Sequence, residues 1–183
     1  MTDNNNEQII LKQLKDNSLR SAAFSVIVDK YSKKIYWHIR NMVLSHDDAN
    51  DIVQETFIKA WSSIESFRGD SQISTWLYRI AINETLAFLK KRHVETVPID
   101  SEEHDFAERL ESDAYFCGDK SEILFRKAIN TLPDKQKLVF NMKYFDEMKY
   151  EEISEILGTS VGALKASYHI AVKKIETYIQ END

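Results

Sequence analysis

Residues 150–169 read YEEISEILGTSVGALKASYH: a short amphipathic run, a glycine, then a second and longer amphipathic run. Gly158 stops the first run because glycine enters left-handed backbone without steric cost, and Ser160 is a residue type that opens helices. A short helix, a tight turn of about three residues and a longer helix form a helix-turn-helix, whose second helix can place its exposed start in a major groove. In that second helix Val161, Leu164, Tyr168, Ala171 or Val172, Ile175 and Ile179 keep the packing period. Gly162, Ala163, Lys165, Ala166, Ser167 and His169 are left outward. The small side chains at 162, 163 and 166 let the backbone approach DNA closely, while Lys165, Lys173 and Lys174 can reach phosphates. Helical hairpins with glycine in the turn also occur in proteins that never touch DNA, so this stretch alone leaves both readings open.

Upstream, Ser121 to Asn130 begins a helix and Leu132–Pro133 starts the next, with proline in its favoured first-turn place. Leu138, Val139, Met142 and Phe145 are its expected buried side. Four Gly and two Pro in 183 residues, beside 43% hydrophobic residues, leave little turn chemistry for a many-stranded sheet, and the expected class is all-α. Cys117 stands alone and cannot form an internal disulfide. The start, Met1 to Gln8, is polar and acidic and reads as no signal peptide, so the expected location is the cytoplasm. His38, His46, His93, His104 and His169 lie in no metal-ligand spacing, and there is no glycine-rich phosphate loop. Neither a metal, a cofactor nor catalysis is expected.

The net charge is −6, which at first sight opposes nucleic-acid binding, since phosphates need a basic face. The distribution changes that reading. Residues 1–93 hold 13 Lys and Arg against 11 Asp and Glu, residues 94–119 hold one against nine, and residues 120–183 hold ten against ten. The acidic excess is therefore confined to 94–119, a segment without sustained periodicity, which reads as a linker between two near-neutral helical modules.

In the first module apolar residues from Phe24 to Val43 recur at helical steps, giving a helix or helix pair from about Ser21 to Leu44. Ser45 caps a restart, with Asp47, Asp48 and Asp51 at its positive end. Val53, Phe57, Ala60, Trp61 and Ile64 are its expected core stripe; Asp47, Asp51, Gln54, Glu55 and Ile58 form a second stripe that, taken alone, reads as solvated. Gly69 marks a break at 66–71. A helix then runs from Ser74 or Thr75 to about Arg92, apolar nearly all round, so it is central or covered. Arg79, Asn83 and Lys90 share its one polar edge and lead into Lys91 and Arg92. Aromatics beside a basic edge suit single-stranded nucleic acid, whose bases stack on rings. For most of Trp76, Tyr78 and Phe88 the plainer reading is ordinary core.

In this order the segments resemble a family: bacterial RNA polymerase sigma factors of the two-domain extracytoplasmic-function (ECF) group. The first match is ANDIVQETFIKAW at 49–61, with FRGDS at 67–71 and TWLYRIAIN at 75–83; the second is LPDKQKLVF at 132–140 with 150–169. The resemblance implies two small helical domains, residues 1–93 and 120–183, joined by the acidic linker, the second a helix-turn-helix (winged-helix-like) module. It implies that Asp48, Asp51, Gln54 and Glu55 dock on the polymerase β′ clamp, which reverses the solvated reading of that stripe. It assigns Phe67, Arg68, Gly69, Asp70, Ser71, Arg79 and Asn83 to opening the minus-ten element and capturing a non-template base, with Lys90, Lys91 and Arg92 on nearby backbone. Gly162, Ala163, Lys165, Ala166, Ser167, His169 and Lys173 face the minus-thirty-five duplex. The implied partners are core RNA polymerase, through the β′ clamp and β flap, promoter DNA and an anti-sigma factor, with no stable membrane insertion and with a role in a stress or envelope response.

Two departures bear on specificity. Ile73 stands where the family has an aromatic, and 165–171 read KASYHIA in place of an Arg-rich recognition helix. Bidentate base contacts are then missing, and sequence choice leans on shape and close apolar contact. With so little positive charge, free protein is expected to bind promoter poorly and to gain specificity once polymerase holds both modules at fixed spacing. The nine linker acids are expected to imitate nucleic acid in the RNA exit path, testable at Glu102, Glu103, Asp105 and Glu108 through abortive product release. The rival is a helix-turn-helix regulator whose first module binds another protein or a ligand.

Overall fold

The fold is described by a computed structural model, which covers residues 2–43, 45–95 and 120–182. Residues 96–119 of the expected linker, with Cys117 and the four linker acids, lie outside the described residues, whereas Val94 and Glu95 of it are helical. The elements are α1 (Thr2–Leu14), α2 (Arg20–Val43), α3 (His46–Ser63), a 3-10 turn (Ile64–Ser66), α4 (Ile73–Glu95), α5 (Lys120–Asn130), α6 (Asp134–Tyr144), α7 (Tyr150–Leu157) and α8 (Val161–Asn182). No strand occurs among the described residues, so the helix-turn-helix is built of helices alone.

Ser45 caps α3 as its residue type demands: its hydroxyl oxygen accepts from the Asp48 N–H at 3.2 Å. The buried face of α3 matches the expected stripe only in part, at Ala60 and Ile64. Ala49, Ile52, Thr56 and Ala60 are buried, Val53 and Phe57 only half, and Trp61 keeps 42% of its surface exposed. Small residues at 49, 56 and 60 let α2 and α4 approach closely, and a tryptophan does not fit that contact. Its ring is turned outward, edge-on to Phe24 at 5.1 Å between centroids.

The all-round apolar character of α4 is explained by its neighbours: α2 and α3 pack on it, and α7 covers a third side. It starts at Ile73, one or two residues before the expected start, and runs to Glu95, beyond the expected Arg92. In the C-terminal part, Gly158 ends α7 at φ +64° and its N–H donates to Ser154 O at 2.9 Å. The Ser160 hydroxyl oxygen accepts from Ala163 N at the start of α8.

α6 departs most from expectation. Besides Leu138, Val139 and Met142 it buries Phe140, Lys137 and Asn141, and Phe145 is only half-buried. The polar pair faces the end of α2. Lys137 Nζ donates to Met42 O at 3.0 Å, and Asn141 Nδ2 donates to Asn41 O at 3.1 Å. The last carbonyls of a helix have no partner within it, and here α6 supplies the donors. As a result the larger core runs from α1–α4 into Leu138, Val139, Met142, Ile153, Ile156 and Leu164, while a smaller one joins α5, α6 and α8.

Candidate functional site

α3 presents Asp47, Asp51, Gln54 and Glu55 to solvent, with Ile58 50% exposed among them. Trp61 lies seven residues beyond Gln54 and three beyond Ile58, so it prolongs this face by a large apolar surface. Sequence periodicity alone places it in the core. Asp48 sits at the edge, half-buried, with Oδ2 3.5 Å from Arg92 Nη1. Two residues assigned to different surfaces thus hold each other, and α3 is further tied to α4 by Lys59 and Glu84 at 2.5 Å.

Between these helices the loop exposes Arg68, Gly69 and Asp70, with Ser71 half-buried. Gly69 has φ +82°, backbone that other residues resist. Phe67 stacks on Trp76, centroids 4.7 Å apart and planes 25° from parallel. Trp76 is therefore half-buried, packed partly on the core and partly on Phe67, whereas Tyr78 is buried, as the plainer reading has it. Asn83, Lys90 and Lys91 are exposed along the edge of α4. Arg79, on the same edge, is engaged: Nη2 donates to Glu155 O at 2.6 Å and Nε to Ile156 O at 3.3 Å. Those carbonyls belong to the last turn of α7, where a cation meets the negative end of the helix dipole.

The contact is part of a polar junction between the two halves of the chain. His38 on α2, fully buried, holds Asp146 Oδ2 with Nδ1 at 2.6 Å and meets Tyr78 edge-on at 5.2 Å. Arg126 donates to Asn41 Oδ1 at 2.9 Å. One signal for this junction was readable: His38, Asn41, Lys137 and Asn141 fall on the apolar period of their helices, where polar residues need partners.

On the start of α8 Gly162, Ala163, Lys165, Ala166 and His169 are exposed, as is Lys173, and Ser167 is half-buried. Lys165 lies over the ring of Tyr150 at 5.7 Å. Behind them Tyr144, Phe140 and Tyr168 form a stacked column with centroids 5.2 and 5.6 Å apart, which stiffens the base of the helix-turn-helix. Among the described residues no group of His, Cys, Asp and Glu is arranged to hold a metal ion, and no helix is long and apolar enough to cross a membrane.

An all-helical chain with a helix-turn-helix whose second helix starts in the open, beside a separate acidic face and an aromatic loop, has the make-up of a transcription protein. Comparison with known proteins makes this specific. Residues 27–94 match the model of sigma-70 region 2, and residues 122–175 match that of sigma-70 region 4. The chain is 33% identical over 168 residues to the ECF RNA polymerase sigma-E factor of Haemophilus influenzae, covering 86% of this chain and 88% of that protein. It is 34% identical to the ECF sigma factor SigW of Bacillus subtilis, covering 87% and 89%, and 30% identical to the sigma-E factor of Escherichia coli K12, covering 98% and 97%. Its fold is similar to that of CnrH, solved in complex with the cytosolic domain of CnrY (TM-score 0.71, 20% identity, 97% and 99% covered). It is also similar to RpoE of Bartonella quintana, solved with the anti-sigma factor NepR (TM-score 0.65, 23% identity, 86% and 96% covered). The chain belongs to the sigma-70 family, in its ECF group: it is a sigma factor that works with core RNA polymerase to direct transcription initiation.

Proposed function

We propose that the exposed face of α3 (Asp51, Gln54, Glu55, Ile58 and Trp61, with Asp48 at its edge) docks on the β′ clamp of core polymerase. The loop from Phe67 to Ser71, with Arg79, Asn83 and Lys90 to Arg92, opens the minus-ten element. The start of α8, from Gly162 to His169 with Lys173, reads the minus-thirty-five duplex. Residues 1–93 and 120–183 act as separate units on DNA, joined by the acidic 94–119. The chain acts in the cytoplasm, catalyses no reaction of its own and serves a stress or envelope response. The region-4 module meets the β flap, and an anti-sigma factor is a further partner, as NepR is for the similar RpoE of Bartonella quintana.

The observation that carries the docking assignment is the acidic face itself, which presents three polar side chains and two large apolar ones on a rigid helix. Polar rims around exposed aromatic anchors suit protein interfaces. Asp51→Lys with Glu55→Lys changes only exposed positions, so helical content and melting temperature are expected to stay unchanged. Affinity for core polymerase is expected to fall about 100-fold, as for loss of a charged hot spot, and transcription to be abolished. Undiminished transcription by this variant would refute the assignment.

A further inference from the structure

The loop at 67–71 has two elements against it, α4 and the N-terminal helix α1. At its near end Phe67 is stacked on Trp76. At its middle, a Cβ placed on Gly69 would stand 3.5 Å from Leu11 Cδ1, so α1 comes within a methyl group's reach of the turn. Just beyond its far end, Glu7 Oε1 accepts a hydrogen bond from the backbone N–H of Ile73 at 2.5 Å. Ile73 is the first residue of α4, and its N–H is among those at a helix start that lack a partner within the helix. A carboxylate there also meets the positive end of the helix dipole. Thr75, one of the two caps expected from the sequence, is itself buried within the helix. The capping oxygen comes instead from a residue 66 positions earlier. Leu14, 5% exposed, anchors the far end of α1 in the core, so Glu7 is delivered by a docked element.

We propose that Glu7 is a positioning residue for promoter opening: by fixing the start of α4 it holds the loop from Phe67 to Ser71 in the shape that receives an unstacked base. The inference rests on the base-capture reading of that loop proposed above. A loop already held in its bound shape loses less conformational freedom on binding, and that difference appears as affinity. Glu7 touches neither polymerase nor DNA in this scheme. Its loss therefore acts on base capture and spares polymerase binding.

The test uses holoenzyme assembled from the full chain and core polymerase. The probe is forked DNA carrying a minus-ten element that wild-type holoenzyme selects from a random pool, with each non-template base in turn replaced by an abasic site. Glu7→Ala is expected to bind the intact fork roughly 3- to 30-fold more weakly, the span of one lost helix cap, with unchanged affinity for core polymerase. At the captured position the wild type loses affinity on base removal and Glu7→Ala loses little more. Glu7→Gln keeps a carbonyl acceptor and restores wild-type behaviour. Hydrogen exchange at the Ile73 amide should be fast in Glu7→Ala and slow in Glu7→Gln. If Glu7→Ala suffers as much as the wild type from base removal, or Glu7→Gln rescues nothing, the role is overturned. If the wild type is indifferent to every abasic site, base capture by the loop fails and the role of Glu7 falls with it, a result told apart by the wild-type data alone.

Discussion

Lys137 carries a physical penalty, because it is charged by nature yet buried, with 5% of its surface accessible. Burial lowers its pKa from 10.5 to about 8; Asp134 opposes the shift and Arg92 adds to it. The two carbonyl oxygens it reaches, Met42 O and Asn130 Oδ1, compensate in part. The linked effect has a definite sign. Between pH 8 and 10.5 the unfolded chain holds a proton on this lysine that the folded chain has released, so stability rises with pH across that window; below pH 8 both states are charged and the full cost stands. The shift corresponds to about 3 kcal/mol. Tyr78 works the other way. Burial, then the charge of Asp146, raises its pKa, so above pH 10 the unfolded tyrosine loses its proton first and stability falls. Urea unfolding should therefore show a climb of roughly 2–3 kcal/mol from pH 8 to 10, which Lys137→Met removes. An equal climb in that variant would show that another group is responsible.

At the scale of elements, the helix-turn-helix holds two glycines with opposite needs. Gly158 has φ +64° and nothing within 4 Å of where a methyl group would stand, so only its backbone resists substitution. Gly158→Ala should destabilise by about 1 kcal/mol. Gly162 has ordinary helical backbone and equally open space, so Gly162→Ala should stabilise by about 0.5–1 kcal/mol. Under the proposed reading it should nonetheless weaken holoenzyme binding to the minus-thirty-five duplex, because a methyl group then stands between backbone and DNA. Stability and binding rising together would remove Gly162 from the interface. These punctuating residues explain why so much was legible in the sequence: Ser45, Gly69, Gly158 and Ser160 act locally, and a local rule reads them. The same rule failed wherever a partner came from afar. Trp61 fits the helical period of the core, yet the small residues of α3 had already taken the close contact. The cap of α4 comes from Glu7, and Lys137 and Asn141 serve the end of α2; no window along the chain spans such pairs.

For the whole molecule the decisive quantity is distance. In this structure α4 packs on α7, and Arg79 spends its guanidinium on the carbonyls of Glu155 and Ile156. Under the proposed assignment the two halves must instead reach promoter elements about 25 base pairs apart, some 85 Å along the helix axis at about 3.4 Å per pair. A closed molecule of this length, with a radius of gyration of about 16 Å, cannot bridge that span. Twenty-four residues separate α4 from α5, a number whose upper limit of reach is about 80 Å, to which separated halves add their own widths. Under that assignment the closed form is a resting form, in which Arg79 is withheld from DNA until polymerase separates the halves. That separation must break the polar pairs His38 with Asp146 and Arg126 with Asn41 and also expose the apolar core that Leu138, Val139, Met142, Ile153, Ile156 and Leu164 share with the first half, so polymerase contacts have to offset both. Dyes attached at Ala87→Cys on α4 and Glu151→Cys on α7, both exposed positions, in a Cys117→Ser background, should transfer energy efficiently in the free chain. Adding core polymerase should abolish most of that transfer, and Arg79→Ala should lower it before polymerase is added. Transfer that survives polymerase binding undiminished would mean that the halves act while closed, and the two-element reading of the chain would have to be given up.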